Sequence, residues 1–174
     1  MAIKATLILE KDSQTRSIAI GTNALVRVVE AMPDDEGHAD VFEMLADHTD
    51  SVVREAIAAK DRLERQTLVR LSSDPAMAVV RKLIGVRHSK ERLEVKDVLA
   101  ICHRDPSLAS QVANSFEDYI FEDSTVVEFL ASHPDRQVRH ALAGNPFAPK
   151  QILRRMSDAD PDADIRETAR SVML

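Results

Sequence analysis

The sequence is poor in aromatic residues, glycine and cysteine. Aromatic residues make up 3% of the chain and tryptophan is absent, so aliphatic side chains must form the core. The single cysteine, Cys102, excludes an internal disulfide and a four-cysteine metal site within one chain, and it fits a reducing compartment. No apolar run approaches about 18 residues, and the start lacks a leader pattern. We therefore expect no membrane span, no secretion and a cytoplasmic location.

Motifs for catalysis are also missing. We find no glycine-rich phosphate loop, no Gly-x-Ser-x-Gly motif and no metalloprotease histidine pair. The net charge of −6 makes the chain a poor general ligand for nucleic acid, because that affinity rests on neutralised phosphates. With 174 residues the chain is long enough for one substantial core. We predict a protein that is not an enzyme and needs no cofactor.

Residues 1–20 read differently from the rest and are predicted to form a separate appendage. The segment 3–9 is rich in β-compatible residues, 11–14 is a plausible turn, and 17–20 can return as a second strand. A β-hairpin is the prediction, and a helical or disordered start is the alternative. A lone hairpin is marginal in water, so it must pack on the remaining chain, pair with a second chain or stay loose.

From residue 21 to 174 a helical pattern recurs with a period of about 27 residues. A hydrophobic residue followed by arginine recurs 27 residues apart at Val26-Arg27, Val53-Arg54 and Val80-Arg81, and again at Val138-Arg139 and Ile165-Arg166. Arg81 and Arg139 are 58 positions apart, close to two periods. A unit of this length holds two short helices, neither of which buries its apolar face alone. The pattern predicts an all-α solenoid of about five to six helical hairpins.

Helix starts are also marked in the sequence. Thr22 or Asn23 is a candidate cap for the first helix, by its side-chain oxygen. Three Asp-Pro pairs, at Asp74, Asp105 and Asp160, place a capping aspartate before a proline at the first helical position.

The clearest copy of the unit lies in Leu130–Arg170. Its marks are Asp135, Val138, Arg139, Leu142, Ala143, Asn145, Pro146, Pro149, Ile152 and Leu153, and the next copy opens at Asp160-Pro161-Asp162 with Ile165 and Arg166. This pattern resembles the leucine-rich repeat variant (LRV) family and, more loosely, HEAT repeats. The resemblance implies a right-handed superhelix of short helices that serves as a binding scaffold. The cysteine-ligated iron–sulfur cluster of the family's best-known member does not carry over, because its cysteines are missing here.

One arginine per repeat at one helical position predicts a row of arginines on one face. We predict that these arginines form a structural ladder with aspartates of their own or the next repeat. The arginines are Arg27, Arg54, Arg81, Arg139 and Arg166, and the aspartates are Asp50, Asp74, Asp135 and Asp162. The alternative is a basic stripe that faces an acidic partner or a phosphate backbone.

Three histidines, His48, His103 and His133, each lie two residues before an aspartate, and Cys102 precedes one of them. Equivalent residues of successive repeats lie about 10 Å apart, too far to share an ion, so no metal site is predicted. Cys102 sits in an apolar helical run and is predicted to be a buried structural residue rather than a nucleophile.

Aromatic residues concentrate where the repeat pattern is least regular. One interpretation is a set of rings that fill a gap between repeats; the other is an exposed acidic and aromatic patch for a protein partner. The candidate partner-binding residues are Phe116, Tyr119, Phe121, Glu122 and Asp123.

The pattern as a whole predicts a non-catalytic scaffold that binds a protein or peptide. The alternative is binding of the DNA backbone through the arginine row, since some HEAT-like proteins act as DNA glycosylases. A HEAT-like enzyme such as a pigment lyase is a third alternative without a motif here. A homodimer is a further hypothesis, because the apolar end at 172–174 and the N-terminal strands can both meet a second chain.

Overall fold

A computed structural model of the chain describes residues 3–12, 14–119 and 124–174. These residues are mostly helical, and the sheet among them is a two-stranded antiparallel one. The chain divides into two compact units, with unit 1 ending at Ser89 and unit 2 beginning at Lys90. Within the described ranges, no helix combines the length and hydrophobicity needed to cross a bilayer.

The N-terminal segment forms the expected β-hairpin. Strand β1 covers Thr6–Lys11 and β2 covers Gln14–Ala19, with Leu7 opposite Ile18. Asp12, in the turn, has a φ of 47°, which Asp tolerates better than most residues. Every described residue of both strands is exposed. The base of the hairpin packs on the helical core of unit 1 through three side chains: Ile3, Ala5 and Ile20.

Unit 1 contains five complete helices in its described residues, and a sixth spans the boundary. The helices are α1 (Thr22–Ala31), α2 (Ala39–Leu45), α3 (Ser51–Ala58), α4 (Arg65–Ser72), α5 (Met77–Leu83) and α6 (Arg87–Arg92), and a short 3-10 helix covers Glu36–His38. Helix α3 packs between α1 and α5, while α2 packs against α4 in a second layer. The core between the layers is aliphatic except for Phe42, as the composition predicts.

Unit 2 has the same two-layer arrangement. Its helices are α7 (Val95–Arg104), α8 (Pro106–Asn114), α9 (Thr125–Ala131), α10 (Arg136–Ala143), α11 (Lys150–Ala159) and α12 (Ala163–Val172), with a 3-10 helix at Phe116–Asp118. Helix α10 packs between α8 and α12, and α9 packs between α7 and α11. In each unit, therefore, helices of successive repeats stack side by side.

The hydrophobic residue before the arginine is a core residue in four of the five marked repeats. Val53, Val80, Val138 and Ile165 are each 0% exposed. Val26 is the exception, because α1 buries Leu25 and Val29 instead and leaves Val26 half-buried. The buried face of α1 is thus turned by one residue relative to the other first helices.

Only one of the three Asp-Pro pairs caps a helix as predicted. Asp105 accepts a hydrogen bond from the Ser107 backbone at 2.7 Å and precedes Pro at the start of α8. Asp74 and Asp160 instead lie before their helices: Ala76 is the N-cap of α5 and Asp162 the N-cap of α12. Both carboxylates bind an arginine of the preceding repeat, which moves the helix start two residues on.

Helix α1 also begins one or two residues earlier than the predicted caps imply. Its N-cap is Gly21, which has no side chain to make a capping bond, rather than Thr22 or Asn23. Its first turn therefore lacks the side-chain cap that the sequence indicates.

Candidate functional site

In unit 1, Arg54 and Asp74 form a well-formed pair of the predicted arginine ladder. Arg54 Nε donates to Asp74 Oδ2 at 2.6 Å, and Nη2 donates to Oδ1 at 3.0 Å. The Nη1 atom donates to the backbone carbonyls of His48 and Thr49 at 2.7 and 3.1 Å. The side chains are 12% and 5% exposed. The hydrogen bond that Arg54 donates to Asp74 is the largest factor that raises the pKa of Arg54 above its ordinary value.

Unit 2 repeats this arrangement with Arg139 and Asp160. Arg139 Nε donates to Asp160 Oδ2 at 2.9 Å, and Nη1 donates to the carbonyls of His133 and Pro134. The acid is thus Asp160, not Asp135 or Asp162, which the sequence pattern singles out. Asp160 lies just before α12, where the carboxylate faces the preceding repeat.

The remaining arginines of the row are placed differently from one another. Arg166 Nη1 donates to the Asp160 carbonyl at 2.7 Å. Arg81 is exposed on α5. Arg27 is exposed on α1 and forms no ion pair with a described residue, because the turned face of α1 points it to solvent. The five arginines therefore do not form one uniform ladder.

The other aspartates of the predicted set cap helices. Asp50 accepts from the Val52 backbone at 3.0 Å, and Asp135 from the Gln137 backbone at 2.7 Å. Asp162 accepts from the Asp164 and Ile165 backbones and pairs with Arg136, which is not a member of the row. The Arg136 hydrogen bond is the main reason that the pKa of Asp162 falls to about 2.

Two of the three histidines act like the capping acids. The Nδ1 atom of His48 accepts from the Asp50 backbone at 3.0 Å, and Nδ1 of His133 accepts from the Asp135 backbone at 3.1 Å. His103 is exposed and its ring meets the edge of Phe129 at 4.5 Å between centroids. Across the described residues, no group of three or more His, Cys, Asp or Glu side chains is placed to hold a metal ion.

A second set of contacts between repeats, which the sequence analysis does not predict, consists of side-chain hydrogen bonds to backbone carbonyls of the preceding repeat. Lys60 is 7% exposed, and its Nζ donates to the Met32 carbonyl at 2.7 Å, at the end of α1. Asn145, 4% exposed, donates to the Ala113 carbonyl at 2.9 Å, in the last turn of α8. Each residue follows the repeat arginine by six positions, and that shared spacing was the signal available. Both satisfy carbonyls that a helix end leaves unpaired.

The aromatic patch expected for a partner is largely covered where it is described. Tyr119 is 6% exposed, and the Nζ atom of Lys90 lies 6.0 Å from its ring centroid. Burial raises the pKa of Tyr119 far above its ordinary value. Phe116 is half-buried. Phe121, Glu122 and Asp123 lie outside the described residues.

Cys102 lies on the buried side of α7. Its side chain is 1% exposed, and desolvation raises its thiol pKa to about 12. A thiol is nucleophilic only as thiolate, so Cys102 is unsuited to catalysis at neutral pH. This placement is the one that the apolar sequence around it predicts.

A groove on unit 1 combines exposed apolar and charged side chains, and we call it the valine groove. It consists of two adjoining depressions of about 200 and 380 Å³, lined by Asn23, Val26, Arg27, Glu30, Val52, Glu55, Ala56, Ala59 and Lys82. Val52 lines both depressions and is 49% exposed. The four charged side chains, Arg27, Glu30, Glu55 and Lys82, form no ion pair with a described residue.

Unit 2 has a groove of about 460 Å³ between α9, α11 and the turn before α12. Its charged side chains are already engaged. Arg139 binds Asp160, and Arg155 donates to Glu128 at 2.5 Å. The hydrogen bond from Arg155 lowers the pKa of Glu128 below its ordinary value. This groove offers fewer free groups than the valine groove.

Comparisons with protein-family models, curated proteins and solved structures give no match for this chain. The LRV and HEAT resemblance therefore rests on the sequence pattern alone.

Proposed function

We propose that the protein is a non-catalytic helical-repeat scaffold, of the LRV or HEAT-like kind with a right-handed superhelix, that binds a peptide segment of another protein in the valine groove. The observation that carries the proposal is the set of free charges around exposed Val52. Other charged side chains join repeats instead, as in the pair of Arg54 with Asp74.

The groove determines the chemistry of the peptide. An aliphatic side chain fits over Val52 and Ala56, where it removes apolar surface from water. Glu30 and Glu55 attract basic groups of the peptide, and Arg27 and Lys82 attract acidic groups. The ligand is therefore a short segment with an aliphatic centre and charges of both signs.

Arginine placement argues against DNA as the ligand. The guanidinium groups of Arg54 and Arg139 donate hydrogen bonds to buried carboxylates and to backbone carbonyls, so neither is free to bind phosphate. The net charge of −6 adds a general repulsion. We expect no mobility shift of duplex DNA at low salt.

A random peptide library selected against the full chain tests the proposal. Enriched peptides should bind the wild type and lose at least about tenfold in affinity for Val52→Glu, which buries a charge against the peptide. Val69→Glu is the matched control, because Val69 is 37% exposed on α4 and lines neither depression of the groove. Equal loss in both variants, or no enrichment, would contradict a peptide site at Val52.

A further inference from the structure

The hairpin of unit 1 exposes four large apolar side chains. Leu7, Ile8, Leu9 and Ile18 are 47%, 59%, 50% and 51% exposed. Leu7 and Leu9 lie on one face of β1, and Ile18 lies opposite Leu7 on the same face. A two-stranded hairpin with such a surface is marginal unless it gains a further strand or a covering layer.

One edge of the hairpin has a free ladder of backbone groups. The Ile20 backbone donates to the Ala5 carbonyl at 3.1 Å, so residues 5 and 20 form a hydrogen-bonded pair. Such pairs alternate along an antiparallel ladder. Leu7 and Leu9 therefore bond to β2, and the N–H and C=O groups of Thr6, Ile8 and Glu10 point outward.

The sequence of β1 is complementary to itself in the antiparallel direction. When two copies pair about Ile8, Leu7 meets Leu9, Thr6 meets Glu10 and Lys4 meets Asp12. The outward groups are then the ones that pair, since residues 6, 8 and 10 meet residues 10, 8 and 6. Aliphatic contacts lie at the centre and opposite charges at the ends, a pattern that stabilises cross-strand pairs.

The β2 edge does not offer an equivalent match. Pairing about Ser17 sets Arg16 opposite Ile18, and pairing about Arg16 sets two like charges opposite each other. The polar residues of β2 thus disfavour the addition of another strand at the β2 edge, so association ends at two copies. A parallel arrangement in register is disfavoured for the same reason, because it stacks Lys11 on Lys11.

We propose that two copies of this chain associate through the β1 edges to form a four-stranded antiparallel sheet of order β2-β1-β1-β2, with Ile8 on the two-fold axis. Leu7, Leu9 and Ile18 of both copies then lie on one face of the sheet. The interface is separate from the valine groove, and its test does not depend on a peptide ligand.

Sedimentation velocity of the full chain tests this proposal. The wild type should be a dimer with a dissociation constant in the micromolar range. Ile8→Pro removes an outward N–H without removing a bond of the hairpin, so it should weaken association at least about tenfold. Ser17→Pro is the matched control: Ser17 faces Ile8 across the hairpin, so its N–H points out from the β2 edge, and this variant should remain a dimer.

A second variant guards against local unfolding by proline. Ile8→Lys keeps the N–H but sets two lysines opposite each other, so association should weaken and recover in part with salt. Circular dichroism should give the same helix content for all three variants. A wild type that stays monomeric up to about 1 mM overturns the proposal. A monomeric Ser17→Pro beside a dimeric Ile8→Pro also overturns it, and so does a dimer in all the variants.

Discussion

Arg54 and Asp74 join successive repeats across 20 positions of sequence, with two hydrogen bonds of 2.6 and 3.0 Å between guanidinium and carboxylate. Asp74 also accepts from the Ala76 backbone at 2.8 Å, so one carboxylate fixes both the arginine and the turn that leads into α5. The planar guanidinium suits this double contact, which a lysine does not reproduce.

Removing Arg54 should therefore be costly. Arg54→Ala removes the guanidinium from the carboxylate of Asp74, which is 5% exposed, and a loss of about 3 kcal/mol in the free energy of unfolding is expected. Chemical denaturation followed by circular dichroism measures it. Arg70→Ala is the control, because its pair with Asp47 is 39% and 62% exposed, and about 0–1 kcal/mol is expected there. Similar losses in both variants would refute the importance of burial.

Asn145 should matter through the helix end that it binds. Asn145→Ala removes the hydrogen bonds that Asn145 makes with the Ala113 carbonyl and the Phe147 N–H. The free energy of unfolding should therefore fall by about 1–3 kcal/mol. Denaturant titration measures the change. Asn114→Ala, at an exposed position next to the same helix end, should stay within about 0.5 kcal/mol of the wild type. Equal changes in the free energy of unfolding in the two variants would show that the hydrogen bonds of Asn145 do not stabilise the unit.

Asp162 should titrate near pH 2, below its ordinary value of 3.8. A carboxyl with a lowered pKa in the folded state stabilises the fold above its ordinary pKa, and this contribution is lost as the pH falls toward 2. NMR of the carboxyl carbon gives the midpoint. Arg136→Ala should raise it toward the ordinary value, whereas Arg154→Ala, an exposed arginine without a bond to Asp162, should not. A wild-type midpoint near 3.8 contradicts the Arg136 contact.

Cys102 should resist thiol reagents in the folded protein. Its burial and a thiol pKa of about 12 leave almost no thiolate at pH 8. The reaction of the Cys102 thiol with a chromogenic disulfide reagent, followed by absorbance, should be slow in the absence of denaturant and fast in its presence. The comparison protein is Cys102→Ala with Ser73→Cys, which places a thiol at an exposed position and should react at once. Equal rates for the two proteins would place Cys102 at the surface.

Sequence periodicity predicts the helices well but not which acid each arginine binds. The buried residues Val53, Val80, Val138 and Ile165 follow the period because stacked helices must bury the same position. The sequence predicts a helix cap at Asp160, because an Asp-Pro pair suits a cap and the turn that precedes a helix equally well. The choice depends on where Arg139 reaches, which is a tertiary contact.

The sequence is less informative at the start of the repeats and at the candidate site. Val26-Arg27 keeps the 27-residue spacing, but α1 buries Leu25 and Val29, and this rotation puts Arg27 and Val26 at the groove. The groove combines residues of three helices, so no local motif marks it. The hairpin was predictable because strand-forming residues and a polar turn are local features. The exposure of both strands was not, since exposure depends on what packs against them.

The ties between repeats also determine how the chain can change in length. Arg70 and Glu43 lie 27 residues apart, as do Arg155 and Glu128, and Lys60 and Met32 lie 28 apart. A tandem duplication of one whole period would copy each donor together with an acceptor at the right distance. An insertion of a few residues between Arg54 and Lys60 would change the spacing of Arg54 and Asp74 and that of Lys60 and Met32 together. The repeats can therefore evolve by gain or loss of whole periods, while insertions are tolerated best in the connections that these ties do not span.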